Sequence, residues 1–181
     1  LTYTVNGEEE EFSVAPALIV VKPLPRLTLD YFLEEEVIAD DAFTASIEPS
    51  VPFTLGVRVS NNGQATAADV KIDSAQPEIV ENEQGLLIGF EIISSFASDQ
   101  AVNPSLLIDL GDIPANDARM GRWQMVTTLS GTFSDFTASF THAEDLGGEL
   151  TSLIDATNTH LLIKDVLVDL NGRDSILDFL A

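Results

Sequence analysis

Apolar and polar positions alternate most regularly over Phe53 to Ile72. Phe53, Leu55, Val57 and Val59 alternate with Thr54, Gly56, Arg58 and Ser60. A period of two is that of a strand with one dry face and one wet face. Asn61-Asn62-Gly63 follows, a composition that tolerates the positive φ angles of a tight turn. Ala65, Ala67, Val70 and Ile72 then carry a second extended run. The pattern predicts an antiparallel hairpin, Phe53 to Val59 against Ala65 to Ile72, over a core that also holds Trp123, Phe136 and Phe140.

The rest of the chain reads in the same way. Leu1 to Val5, a turn at Asn6-Gly7 and the acidic run Glu8 to Glu11 predict an N-terminal β-hairpin, resumed as extended chain from Phe12 to Val21. Lys22-Pro-Leu-Pro-Arg26 is a stiff linker, because proline cannot donate to a sheet. Leu27 to Leu33 opens a new strand, and Ile47-Glu-Pro-Ser-Val-Pro52 is a turn. Further strands are expected at Ile79 to Glu83, Gly85 to Ile93, Leu106 to Leu110, Arg122 to Thr128, Phe133 to His142 and Thr159 to Val168. Ser94 to Pro104 reads as a polar connection, and Leu150 to Ile154 as a strand or a short helix. No helical stripe extends beyond about two turns. Many short strands with regular turn signals predict an all-β protein, an antiparallel sandwich. Three segments follow: residues 1–26, a hairpin and proline linker; residues 27–168, the sandwich; and residues 169–181, a C-terminal turn and linker that starts a further segment.

Composition narrows the chemistry. The 181 residues are 45% hydrophobic, enough for a packed core. Asp and Glu number 30 against 8 Lys and Arg, a formal net charge of -22. Such a field repels nucleic acid and anionic membranes, which argues against both as partners and against membrane insertion. The acids read either as a solvated, salt-adapted surface or as divalent-ion sites. The chain has no cysteine, which excludes disulfides, zinc–thiolate sites and cysteine nucleophiles. It begins at Leu1 with no signal-peptide pattern, and reads as an internal start.

At Val57-Arg-Val-Ser-Asn-Asn-Gly63, followed by Ala65-Thr-Ala-Ala-Asp-Val-Lys-Ile72, the chain resembles bacterial immunoglobulin-like modules of the cell-adhesion-related type. Those modules carry a "V-x-V-x-N-x-G" strand and turn, then "A-x-x-V-x-I". Leu110-Gly-Asp-Ile-Pro-Ala-Asn116 before Trp123 is similar to their "L-G-x-L-x-P-G" turn. The resemblance spans Leu27 to about His142; Leu1 to Pro25 resembles the closing hairpin of a preceding module. It implies an immunoglobulin-like fold in a large secreted or surface-anchored protein, with such modules as spacers, adhesive units or enzyme accessories.

Candidate chemistry is sparse. His142 and His160 are the two histidines, and no serine sits in a Gly-x-Ser-x-Gly elbow. No phosphate loop or dinucleotide fingerprint is present, Gly147-Gly148 lacking the further glycines and the lysine. Asp169, Asn171, Asp174 and Asp178 form an acidic loop that reads as a turn or as a calcium site, although Gly172 falls two positions early for an EF-hand. Glu34 to Asp41 is a second acidic cluster of the same two readings. Calcium is thus the only cofactor in view. Trp123 is either a core residue or a platform for stacking sugars. The expectation is a non-catalytic structural or adhesive module, extracellular or at the cell surface. Its partners are neighbouring modules or identical subunits, met through apolar strands at both termini. The alternative is a carbohydrate- or calcium-binding accessory module of a secreted enzyme.

Overall fold

Alternating apolar residues build two sheets that share one apolar cluster, and the described residues contain no helix. The structure, a computed structural model, describes residues 2–11, 17–19, 21–79, 89–141 and 153–181. Among the described residues, fourteen strands run in chain order. They are β1 (Thr2–Val5), β2 (Glu8–Glu11), β3 (Leu27–Leu33), β4 (Glu36–Val37), β5 (Phe53–Asn61), β6 (Ala67–Ile79) and β7 (Phe90–Ala97). After these come β8 (Gln100–Val102), β9 (Ile108–Ile113), β10 (Ala118–Thr127), β11 (Gly131–Thr141), β12 (Ile154–Leu161), β13 (Lys164–Val166) and β14 (Asp178–Leu180).

One sheet has six strands in the order β12-β3-β5-β10-β7-β8, the other four in the order β4-β11-β6-β9. Leu27, Leu29, Tyr31 and Leu33 of β3 face inward with Phe53, Leu55, Val57 and Val59 of β5 and Trp123 and Met125 of β10. Ala67, Val70 and Ile72 of β6 and Ile108, Leu110 and Ile113 of β9 close the same cluster from the other sheet. Burying a side chain of this size contributes about 1.5–3 kcal/mol, so this cluster is the main source of stability.

The structure corrects the predicted hairpin. β5 pairs with β3 and β10, whereas β6 pairs with β11 and β9 in the other sheet. The chain at Asn61-Asn62-Gly63 therefore crosses between the sheets, and none of these three residues has a positive φ. Asn61 is fully buried. Its Oδ1 accepts from the Gly63 amide at 3.0 Å, a side-chain turn that has the composition of an Asn-Gly hairpin without its pairing. Gly63 is required there, since a Cβ would collide with the backbone of Leu24, Pro25 and Arg26.

Two further expectations change. The sheet is not antiparallel throughout: β12 lies parallel to β3, because Leu27 donates its amide to the Leu153 carbonyl and the two strands start together. Ser94 to Pro104 is not a simple connection. β7 and β8 form a tight hairpin across Ser98 and Asp99, whose φ angles are 46° and 62°. Asp tolerates this left-handed conformation, and no glycine marks the turn.

At the N-terminus, β1 pairs with β2 through Asn6 and Gly7, both at positive φ, in a two-stranded sheet of its own. The proline-marked stretch after it is fixed rather than loose. Asn62 donates to the Arg26 carbonyl at 2.7 Å, and Gln64 to the Leu24 carbonyl at 3.2 Å. At the C-terminus, β13 and β14 form a second two-stranded ribbon. The segments expected at Phe12 to Val21, Ile79 to Glu83, Gly85 to Ile93, Phe133 to His142, Asp145 to Gly148 and Leu150 to Ile154 fall wholly or partly outside the described residues. The side chains of Phe136 and Phe140 do too.

Candidate functional site

The wet face of the six-stranded sheet carries the densest polar chemistry of the described residues. Period-two alternation places Asp30 and Phe32 of β3, Gly56 and Arg58 of β5, Arg122 of β10 and His160 of β12 on that face. Asp30 is buried there. Its Oδ2 accepts from Arg58 at 2.8 Å, and its Oδ1 from the Asn158 amide at 2.9 Å, with His160 Nε2 at 3.2 Å. Burial works to raise the Asp30 carboxyl. The bonds from Arg58, Asn158 and His160 outweigh it and hold the group below the usual carboxylate range.

A depressed carboxyl stabilises the fold above the unfolded value of about 4, and that stability is lost as pH falls through the folded value. The melting temperature should therefore drop below about pH 4. Asp30→Asn should make that drop shallower, as read by thermal unfolding across the acid range; an unchanged slope would remove Asp30 from the acid response.

The ribbon β13–β14 covers the next part of this face. The Phe179 ring stacks on Phe32 at 4.7 Å, and Phe32 stacks on His160 at 5.1 Å. Gly56 makes room for Phe179, since a Cβ on Gly56 would collide with that ring. Arg122 ties both strands of the ribbon to the sheet. Its guanidinium pairs with Asp99 at 2.9 Å and Asp165 at 3.4 Å and lies 4.4 Å over the Phe96 ring. Asp99 in turn accepts from the Leu177 amide, and Asp165 from the Thr54 hydroxyl.

Gly56→Ala should cost about 1–3 kcal/mol by displacing Phe179. In a Phe179→Ala background the same change should cost almost nothing, because the two act through one contact. Urea unfolding of the four proteins measures this coupling. Additive losses would show that the ring does not fill the glycine notch.

The predicted calcium residues fall along this C-terminal stretch. Asn171 lies in a turn with Gly172, whose φ is 88°, and Asp174 Oδ1 accepts from the Ile176 amide at 3.1 Å. Asp178 is in β14, opposite Val166, and Asp169 precedes the turn. Among the described residues, no group of three or more His, Asp or Glu side chains is arranged to hold a metal ion.

Three of the acids from Glu34 to Asp41 are turned to the backbone, while Glu35 and Glu36 are exposed. Glu34 accepts from the Thr54 amide at 3.1 Å, Asp40 from the Glu48 amide at 2.9 Å and Asp41 from the Phe43 amide at 3.0 Å. Glu48 completes the set by accepting from the Asp41 amide at 3.1 Å. Ser130 pins the base of this loop through both backbone groups of Ala39.

Trp123 is fully buried and donates its indole N–H to the Ser105 carbonyl at 2.8 Å. It is a core residue, and the sugar-platform reading is withdrawn. His160 lies in β12 against Asp30, as a half-buried strand residue. Sequence reasoning missed the Asp30 cluster and the Phe179 notch. Gly56 inside a regular strand was the available signal, because glycine there often marks close approach of another segment.

No helix among the described residues is long and apolar enough to cross a membrane. No family model matches the chain, and no match was found among curated proteins or solved structures.

Proposed function

We propose that this protein is a non-catalytic structural or adhesive module with an immunoglobulin-like sandwich, acting outside the cell or at its surface. It connects like units through its N-terminal segment. The observation that carries this reading is the stretch before the anchored Leu24–Arg26. Leu18, Ile19 and Val21 are each more than four-fifths exposed. Leaving such side chains in water forgoes about 1.5–3 kcal/mol apiece, so the segment gains by meeting an apolar partner. The hydrogen bonds that hold Leu24 and Arg26 to Asn61–Gln64 give it a fixed base. Exposed Glu8 and Glu9 on the adjoining hairpin oppose sideways pairing of strands, which favours contact end to end. Phe179 docks the C-terminal ribbon on the six-stranded sheet. The apolar side chains around it, Ile163, Leu167 and Leu170 at 55–67%, are less exposed than Leu18, Ile19 and Val21 at 84–90%, which favours the N-terminal segment as the connector.

The test is sedimentation velocity of the 181-residue chain against a chain lacking residues 1–21. The full chain should grow in mass with concentration. The shortened chain should stay monomeric with a similar melting temperature, since Leu24–Arg26 remains in place. A full chain that is monomeric at every concentration, or a shortened chain that associates equally well, overturns the reading.

A further inference from the structure

The loop between β4 and β5 is built inside out. Its carboxylates Asp40, Asp41 and Glu48 bind the loop's own backbone amides, while its apolar side chains point to water. Phe43 is 69% exposed and Ile47 91%. At the loop's base, Ile38 and Val51 are exposed beside each other, joined by a backbone hydrogen bond of 2.8 Å. Those internal bonds hold the loop in shape before any partner arrives, which lowers the ordering cost of binding.

This apolar tip lies at the opposite pole from the N-terminal segment. Leu27 pairs with Asn61 at one end of the β3–β5 ladder, and Leu33 pairs with Leu55 towards the other. Seven residues of strand separate the poles by about 20 Å. Against the net charge of -22 that each copy carries, one local pairing of opposite charge is available. Exposed Glu35 and Glu36 flank the tip, and Lys22, one of only 8 cationic residues, follows Leu18, Ile19 and Val21. Two apolar surfaces at opposite poles make a head-to-tail contact, and such a contact does not close on itself unless the rotation forms a ring.

We propose that the Phe43–Ile47 loop of one copy receives the exposed side chains of Leu18, Ile19, Val21 and Leu24 of the next copy. This rests on the connector reading above and adds the surface that the connector meets. Sedimentation velocity of the full chain tests it with two variants, Phe43→Asp/Ile47→Asp and Leu18→Asp/Ile19→Asp. All four positions are exposed, so unchanged melting temperatures are expected in both. Each variant alone should associate at least about 30-fold more weakly than the parent chain, the loss of a central apolar contact.

An equimolar mixture should form dimers and stop there, because one intact loop meets one intact segment. If the loop variant associates like the parent while the segment variant does not, this inference fails and the connector reading stands. If neither variant weakens association, or the parent is monomeric throughout, both fail. A mixture that forms no dimer shows that the two surfaces are not partners, and overturns the inference.

Discussion

Trp123→Ala should lower the stability of the chain by about 3–5 kcal/mol. The ring is fully buried, opposite Leu55 on β5 and Ser95 on β7. The loss comes mostly from packing. Ser105 keeps a second donor, because the Ser95 hydroxyl also binds its carbonyl at 2.9 Å, so removing the indole N–H strands no buried acceptor. A domain of this size is stable by roughly 5–15 kcal/mol, which makes the substitution a large fraction of the total. Urea unfolding should show a lower midpoint at an unchanged slope, since the exposed surface is nearly the same. Trp123→Phe keeps most of the volume and should cost well under half as much. A loss under roughly 1 kcal/mol for Trp123→Ala would show that the ring does not organise the core.

The strands were legible because burial writes itself into the period. Phe53, Leu55, Val57 and Val59 all face inward, and Trp123 and Met125 share their phase. Pairing was not legible. Asn61-Asn62-Gly63 has the residues of a hairpin turn, but composition reports which φ angles are tolerated and not which strand lies beside which. The partner of β5 is chosen by the core, through Leu29 opposite Val59 and Tyr31 opposite Val57, and those β3 residues lie tens of residues before the turn. The Ser98–Asp99 turn was hidden for the opposite reason. It has positive φ without glycine, and the serines before it read as solvent-facing. Ser95 is in fact buried, with its hydroxyl bonded both ways to the Ser105 backbone.

The wet-face chemistry was equally hard to see in advance. Asp30 and Arg58 occupy positions that alternation assigns to solvent, and only β12, far along the chain, adds Asn158 and His160 to them. Strands β13 and β14 have three residues each, too short for any period to show. Their docking depends on Gly56 and Phe179, which sequence separates by most of the domain. The apolar loop tip was legible only as an acidic cluster. Asp40 and Asp41 of that cluster accept backbone amides and so shape a loop that displays Phe43 and Ile47.

At neutral pH, and not at low pH, Asn61→Asp should lose stability despite being a closer match in shape than Asn61→Ala, whose loss should not change with pH. The Asn61 Nδ2 donates to the carbonyls of Ala65 at 2.7 Å, Ile113 at 2.9 Å and Pro114 at 3.2 Å. Its Oδ1 accepts from the amides of Arg26 and Gly63. One side chain thus ties the crossing loop, the segment before β3 and the end of β9 together. Alanine removes these bonds and leaves buried backbone groups unpaired, at a cost of about 1–3 kcal/mol for each one that water cannot reach. Aspartate keeps the acceptor but turns a carboxyl oxygen towards three carbonyl oxygens in a fully buried site. The charged form is opposed there by burial and by those dipoles, so the folded state takes a proton instead. The carboxyl is then raised above its unfolded value of about 4. The sign is opposite to that of Asp30: Asn61→Asp should approach the parent's stability at low pH and fall away above about pH 4, by about 1.4 kcal/mol per pH unit until the folded group ionises. Urea unfolding of Asn61→Asp and Asn61→Ala at pH 4 and pH 7 separates the two effects. Equal losses at both pH values in the aspartate variant would mean that the introduced carboxyl reaches solvent, and that Asn61 does not hold the crossing loop by the bonds of its amide.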